Sequence, residues 1–559
     1  MQITGADLVV RSLIELRSRY IFNVPGFGIQ PLVEAIDKRR GDIGYVTSVN
    51  ETNISLIAQG YARSSGEPAF LNVYHSSGTA LAMMAMTTSW ADRVPLVLTS
   101  TTAARDVSSR DSYAAVPRAI TEMSDQYSKW SFEVPSADRI PEALARAFHV
   151  ARSAPAGPVH LAFPSDIYTQ TVEDPGPAVL PESAARSVAD QDGVVRASAL
   201  LGGAQDPVLV LGAEVAQYGA IDEAVALAER VDATVLVEPY LSRLPFPTTN
   251  PRFAGSINDN AEAVREADVV LFAGCEMTER FVRSNPLGNS KAARIALTTD
   301  PVNLVKQSLA PSVELLGDPV LTLRAVLEHL GPAVRRSAGV SDVVRLRRDA
   351  AVEQREAIRK RSSGDSPLRA GDLVAELKAA TEGSIMVNQA GGGAVYVDML
   401  YDFEDPSLYY GLSAKASAQG WAVPASIGIH LANPGRRVVV FVGDGGFMFS
   451  STAIHTAARL GAKILYVVLN NGGWIDIGES SRKLGGTSHE HEDELGWTFK
   501  DAPIDFVAFA RSLGLAAGRC STKSELGSEL SRLLSVNGPA LLEVISDPED
   551  VKLHFERIG

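Results

Sequence analysis

From end to end, short continuous runs of Val, Ile and Leu alternate with stretches of helical periodicity. The runs include Tyr20-Ile-Phe-Asn-Val24, Leu96-Val-Leu98, Val208-Leu-Val-Leu211, Val269-Val-Leu-Phe272, Val438-Val-Val-Phe-Val442 and Ile464-Leu-Tyr-Val-Val-Leu469. A strand with no alternating polar face must be covered on both sides, and helices between successive strands supply that cover in parallel sheets. An α/β fold is therefore predicted, built from doubly wound parallel sheets.

At about 100 to 200 residues per domain, 559 residues suggest three or four domains. Two stretches break the alternation. Glu173 to Gly193 is rich in Pro, Ser, Ala and acid, and Gly331 to Pro367 carries clustered arginines. The breaks predict three domains, at 1–175, 190–332 and 366–559. Within the second break, Ser341 to Lys360 has the composition of an exposed helix. Its basic residues are interleaved with Asp342, Asp349, Glu353 and Glu356, the pattern of a solvated face rather than of a nucleic-acid patch.

The balance of 52 basic and 66 acidic residues gives a net charge of −14, which disfavours nucleic acid and anionic membranes as partners. Cys275 and Cys520 stand far apart, so no disulfide framework or CxxC motif is read from them. No basic start leads into an apolar run, and no stretch reaches the roughly 20 apolar residues of a membrane helix. A cytoplasmic setting is expected.

Chemistry concentrates in one segment. The strand Val438 to Val442 ends in Gly443-Asp444-Gly445-Gly446, a helical pattern follows from Ser450 to Leu460, and the next strand ends in Asn470-Asn471. Glycines at a strand-to-helix turn let an anion approach the backbone and the helix N-terminus. Asp444 and Asn471 close two successive parallel strands, so their oxygens can converge on one hard cation, for which Mg²⁺ suits better than Zn²⁺. A metal-bridged diphosphate is the ligand this arrangement describes.

A GDG turn alone is weak, but here 24 residues with a strand, a helix and a strand in order separate it from the Asn pair. The combination resembles the thiamine diphosphate binding motif of the decarboxylase and acetolactate synthase superfamily. The resemblance implies Mg²⁺ held by Asp444, Asn471 and the Gly473 carbonyl. It also implies cofactor contacts from Gly26, Gly392, Gln419, Gly443, Asp444, Gly445, Gly446, Asn471, Trp474 and Ile475. Such a cofactor needs a carboxylate on its aminopyrimidine ring. Glu51, at the end of a strand read over Val46 to Glu51 and at the start of a helix bearing Ile54, Ile57, Ala58 and Tyr61 on one face, reads by itself as a helix N-terminal acid. The surrounding Asn50-Glu51 to Gly60-Tyr61-Ala62-Arg63 is similar to the family's catalytic-Glu helix, which implies the catalytic role.

Over nearly the whole chain the sequence resembles benzoylformate decarboxylase-like members, with the pyruvate decarboxylase-like trio of pyrimidine-binding, central and diphosphate-binding domains that this implies. Supporting stretches are Pro68 to Asn72, Ser77-Gly78-Thr79, Val94 to Leu98, Lys129-Trp-Ser131, Ala154 to Leu161 and Leu244-Pro-Phe-Pro247. Substrate-facing positions depart from that pattern. Phe27 follows Pro25-Gly26 where a Ser is expected, and His75, after Tyr74, stands one position closer to Gly78 than the family's histidine. Phe281 lies near the place of a second histidine, and Gln419 replaces a large apolar wedge beneath the cofactor. Ile477, His489 and His491 fall in the segment that lines the substrate pocket in the family. The two histidines, spaced i and i+2 among acids, fit a solvated loop better than a helical metal pair. A functional reading of that loop is a lid bringing a His or Glu to move a proton. His149, His160, His430 and His455 fall on apolar patterns and read as packed or surface groups.

The implied activity is that of a thiamine diphosphate and Mg²⁺ dependent carbon–carbon lyase, foremost a decarboxylase of aromatic or bulky 2-oxo acids, with Glu51 and His75 catalytic. Acyloin formation or cleavage and 2-hydroxyacyl-CoA cleavage are the alternatives. A non-catalytic homologue would be expected to lack Glu51 or the metal ligands. The expected partner is a small-molecule 2-oxo acid or 2-hydroxyacyl substrate. Because the family builds its site between subunits, a homodimer at least, and a homotetramer by resemblance, is expected.

Overall fold

The computed structural model describes residues 2–26, 28–108, 119–181, 186–276, 290–304, 310–330, 340–364, 367–413 and 415–558. Packing divides them into two compact units. One joins residues 1–185 to 415–436 and 450–464; the other comprises 186–414, 437–449 and 465–559.

The first unit holds a six-stranded parallel sheet in the spatial order Gly44–Thr47, Tyr20–Asn23, Ala69–Tyr74, Leu96–Thr102, Val159–Pro164, Ser131–Glu133. Numbered by chain order, this is 2-1-3-4-6-5. The second unit holds two more six-stranded sheets. In the C-terminal one, the strands Tyr409–Gly411, Ile385–Gln389, Val438–Gly443, Ile464–Asn470, Ala540–Ile545 and Ala516–Cys520 repeat the order 2-1-3-4-6-5. The central one runs Phe253–Ser256, Thr234–Val237, Pro207–Leu211, Val269–Ala273, Ala293–Thr298, Val313–Leu316, which is 3-2-1-4-5-6. Three parallel-sheet α/β domains thus account for the apolar runs. Residues Val438 to Val442 are fully buried, as a strand covered on both faces must be.

Two glycines set a close helix crossing in the first unit. A Cβ on Gly60, in the Glu51–Ser65 helix, would lie 2.2 Å from the Ala425 carbonyl oxygen, and one on Gly428, in the Ala422–Ala432 helix, 1.9 Å from that of Ile57. Only a residue without a Cβ permits that approach. Beside the crossing, the buried Trp421 indole donates to Gln59 Oε1 at 2.8 Å and the Arg63 guanidinium stacks over its ring. Arg63 pairs with Asp92, and both side chains are buried.

Two local expectations shift. The strand before Glu51 ends at Thr47, because Asn50 turns the chain as a helix cap whose side chain accepts from Asn53 N. A helix does form over Asp342–Arg361, yet its basic residues are not uniformly solvated, since it lies across the edge strand Phe253–Ser256. Arg347 pairs with Asp206 and Arg355 with Asp402, while Arg348 donates to the carbonyls of Thr248 and Phe253.

Candidate active site

The GDG turn ends the strand Val438–Gly443, and the neighbouring strand Ile464–Asn470 carries Asn470 and Asn471 to the same edge of the sheet. Asp444 is buried there, 2% exposed. One carboxylate oxygen accepts from Gly445 N at 2.7 Å, and the other from both Gly472 N and Gly473 N at 2.9 Å. These glycines have φ of +93° and +141°, and a Cβ on Gly473 would lie 2.4 Å from the Trp497 carbonyl oxygen, so glycine is required. Burial pushes the Asp444 carboxyl up to about 6 despite the backbone N–H donors of Gly445, Gly472, Gly473 and Asn471. Beside it the Asn471 Oδ1 is buried without a hydrogen-bond partner. A buried carboxylate next to an orphaned amide oxygen is a donor set suited to a hard cation, and such oxygen ligands fit Mg²⁺.

Gly445 and Gly446 open the short helix after Asp444. The Trp474 indole packs on Gly445, where its Nε1 lies 2.4 Å from the position a Cβ would take. Its ring meets Phe499 edge-on at 5.1 Å. Trp474 N donates to the Trp497 carbonyl and Phe499 N to that of Gly472, so residues 497–499 clamp the loop that bears Asn471. Ile475 begins the helix Ile475–Lys483, on which Ile477 is exposed.

Gly392 belongs to the Gly391–Gly393 turn at the end of the first strand of this sheet. Its N–H donates to Asp476 at 3.0 Å, and burial raises the pKa of that carboxyl. A carboxylate thus sits where the turn presents an N–H to an anion. No motif marks Asp476, and its sole sequence signal is an acid in the first turn of the helix after the Asn pair.

In the first unit, Glu51 is the first residue of its helix, half-buried, with Oε1 3.2 Å from the place a Cβ on Gly78 would occupy. His75 begins the helix His75–Ala91 with φ +59°, a left-handed conformation rare for a non-glycine residue. The ring is buried at 5% exposure, its Nε2 has no partner, and burial lowers its pKa. His75 is therefore a neutral imidazole with a free ring nitrogen. Tyr74, adjacent, packs against Gly26, whose Cβ would lie 2.9 Å from that of Tyr74. Gln419 is exposed beside Gly420, at φ +82°. Phe27 and Phe281 lie outside the described residues.

The segment with the two histidines forms a short 3-10 turn, Ser488–His491, packed on the Ile475–Lys483 helix. His489 Nδ1 is buried without a partner, and His491 lies 3.5 Å from Glu494. No cluster of three His, Cys, Asp or Glu capable of holding a metal occurs among the described residues. Among the other histidines, His160 is buried between the hydroxyls of Ser100 and Ser124, at 2.8 and 2.7 Å. No described helix is long and apolar enough to cross a membrane.

Comparison with known proteins adds three matching sequence profiles. These are described as the thiamine pyrophosphate enzyme N-terminal TPP binding domain over residues 3–127, central domain over 194–326 and C-terminal TPP binding domain over 390–544. The chain is similar to benzoylformate decarboxylase of Pseudomonas aeruginosa, 29% identical over 538 residues that cover 94% of this chain and 95% of that one. It is also similar to acetolactate synthase of Bacillus subtilis, 26% identical over 563 residues covering 98% and 94%. The fold matches the structure of a thiamine diphosphate-dependent 4-hydroxybenzoylformate decarboxylase of Rhodococcus jostii RHA1, with a TM-score of 0.83, 24% identity and coverage of 98% and 99%.

Proposed function

Because the chain belongs to the thiamine pyrophosphate enzyme family, we propose that it is a Mg²⁺-dependent carbon–carbon lyase that decarboxylates an aromatic or bulky 2-oxo acid. The observation that carries the cofactor site is the buried Asp444 carboxylate beside the unpartnered Asn471 Oδ1. With the Gly473 carbonyl they would hold Mg²⁺, and the glycines of the 443–446 turn would take the diphosphate. The substrate class rests on similarity along the whole chain to a benzoylformate decarboxylase.

Thiamine diphosphate, when bound, supplies the electron sink that a 2-oxo acid lacks for losing CO₂. The chain's own residues then have separate tasks. Glu51 would hold a proton for the aminopyrimidine ring of the cofactor. His75, neutral through burial, accepts or returns a proton at the substrate through its free Nε2. Trp474 and the 497–499 clamp fix the loop that bears Asn471. Acyloin formation is a second reading, favoured by the similarity to an acetolactate synthase. The family resemblance further leads us to a homodimer or homotetramer, checked by light scattering.

The deciding experiment is a panel of 2-oxo acids and 2-hydroxyacyl-CoA thioesters, scored for CO₂ and aldehyde with and without thiamine diphosphate. Cofactor-dependent CO₂ from aromatic 2-oxo acids is expected. Release from the thioesters alone, or coupled products without free aldehyde, would replace the decarboxylase reading.

A further inference from the structure

His75 begins its helix in a left-handed conformation, which a residue with a side chain keeps only where its neighbours over-determine it. One turn further on, Thr79 Oγ1 donates to the His75 carbonyl at 2.8 Å. Alone, that is the ordinary contact of a helical threonine with the carbonyl four residues back. Here the hydroxyl continues into a buried series. Thr79 Oγ1 lies 2.6 Å from Ser100 Oγ, Ser100 Oγ 2.8 Å from His160 Nε2, and His160 Nδ1 2.7 Å from Ser124 Oγ, which is itself 3.2 Å from Ser128 Oγ. Thr79, Ser100, His160 and Ser124 are fully buried, and all belong to the first compact unit.

Proton counting gives the series a direction, because a hydroxyl has one proton to give. Thr79 spends its own on the His75 carbonyl, so it accepts from Ser100. Ser100 has then used its proton and accepts from His160, whose Nε2 must carry the N–H. Burial keeps that ring neutral, depressing it to about 3 against the Thr121 carbonyl, which raises it. Nδ1 is therefore unprotonated and accepts from Ser124, whose hydroxyl lies nearer to it than to the Thr121 carbonyl at 3.1 Å. In the opposite tautomer Ser100 would donate to Nε2, Thr79 would donate to Ser100, and the His75 carbonyl would lose the hydroxyl. The tautomer of a histidine inside the sheet thus decides whether the first turn of the His75 helix is tied.

We propose that His160 is a positioning residue for His75: as the Nε2–H tautomer it acts through Ser100 and Thr79 to hold the His75 carbonyl, and with it the strained backbone that sets the ring. The inference rests on the proton-handling role given to His75 above, so its first measurement needs no turnover. Full-length protein with ¹⁵N-labelled histidine gives signals from nine residues, of which His75→Asn and His160→Gln assign these two. At pH 7.5 His160 should show the Nε2–H tautomer. Ser100→Ala and His160→Leu should both displace the His75 signal, whereas His160→Gln, which puts an amide donor and a carbonyl acceptor in place of the ring, should leave it where it is. On the best substrate of the panel, kcat should fall by at least about tenfold in the two breaking variants, with Mg²⁺ dependence unchanged, and stay near the parent value in His160→Gln. An Nδ1–H tautomer at His160, a His75 signal unmoved in both breaking variants, or one displaced as far by His160→Gln as by His160→Leu would overturn the proposal. A displaced His75 signal with kcat intact would uphold the hold on the backbone and remove His75 from the reaction.

Discussion

The first sheet and the C-terminal one, third in chain order, share one strand order, and the same corners of that topology carry different residues. After the first strand come Gly26 in one and the Gly391–Gly393 turn in the other. Following the second strand are Glu51 and Gln419, and the helix after the third strand starts at His75 in one and at Asp444 in the other. The carboxyl edge of a parallel sheet is a ready socket for ligands, whichever residues fill it. In the third sheet the socket at the third strand is lined by backbone N–H groups that converge on a carboxylate. In the first sheet the same socket holds an imidazole in a strained conformation with a free nitrogen. Topology repeats, while on the function proposed above anion and cation binding would fall to one copy and proton handling to the other.

That division makes separable predictions. The largest effect is expected from Glu51→Gln, which removes the proton-holding group of the first sheet. Turnover should fall by about 10³-fold with circular dichroism unchanged; retained turnover would strip the first sheet of its assigned chemistry. Next comes Asp444→Ala. The half-saturating Mg²⁺ concentration should rise beyond the roughly 100-fold that loss of an outer-shell partner costs. If Mg²⁺ dependence stayed the same, the third sheet would not be the metal-binding copy. His75→Asn, in which the new residue tolerates the left-handed φ, should lower kcat by about 100-fold without altering Mg²⁺ dependence. A shift in Mg²⁺ requirement would blur the two roles.

The sequence made some corners legible and hid others for physical reasons. Continuous apolar runs reveal covered parallel strands because burial on both faces leaves no room for polar alternation, and the Asp444 and Asn471 spacing is legible because adjacent strands bring it together locally. Asn50 ahead of Glu51 likewise signals its cap directly in the chain. Asp476 was hidden, since its contact with Gly392 spans 84 residues and depends on how one helix seats on a distant turn. The arginine helix was misleading for a similar reason: interleaved acids suggest solvation, but packing across an edge strand decides which arginines see water. The helix crossing at Gly60 and Gly428 is equally non-local, because each glycine matters only against the other helix.

The smallest effect separates the copies by their response to acid. His160, in the fifth spatial strand of the first sheet, is wholly buried between Ser100 and Ser124, and burial depresses it to about 3. A folded-state value below the ordinary 6.5 means the unfolded chain binds a proton that the folded one does not. Stability from this group is complete above about pH 6.5 and is lost as pH falls toward 3, with a slope of at most about 1.4 kcal/mol per pH unit. His160→Gln keeps hydrogen-bonding capacity toward the two hydroxyls without a titrating ring. Urea midpoints measured from pH 7 down to pH 5 should therefore fall more steeply in the parent protein than in the variant. Parallel curves would mean that a buried histidine is not what makes the first copy acid-sensitive. A steeper fall in the parent would place an acid-labile point in the sheet whose carboxyl edge carries Glu51 and His75.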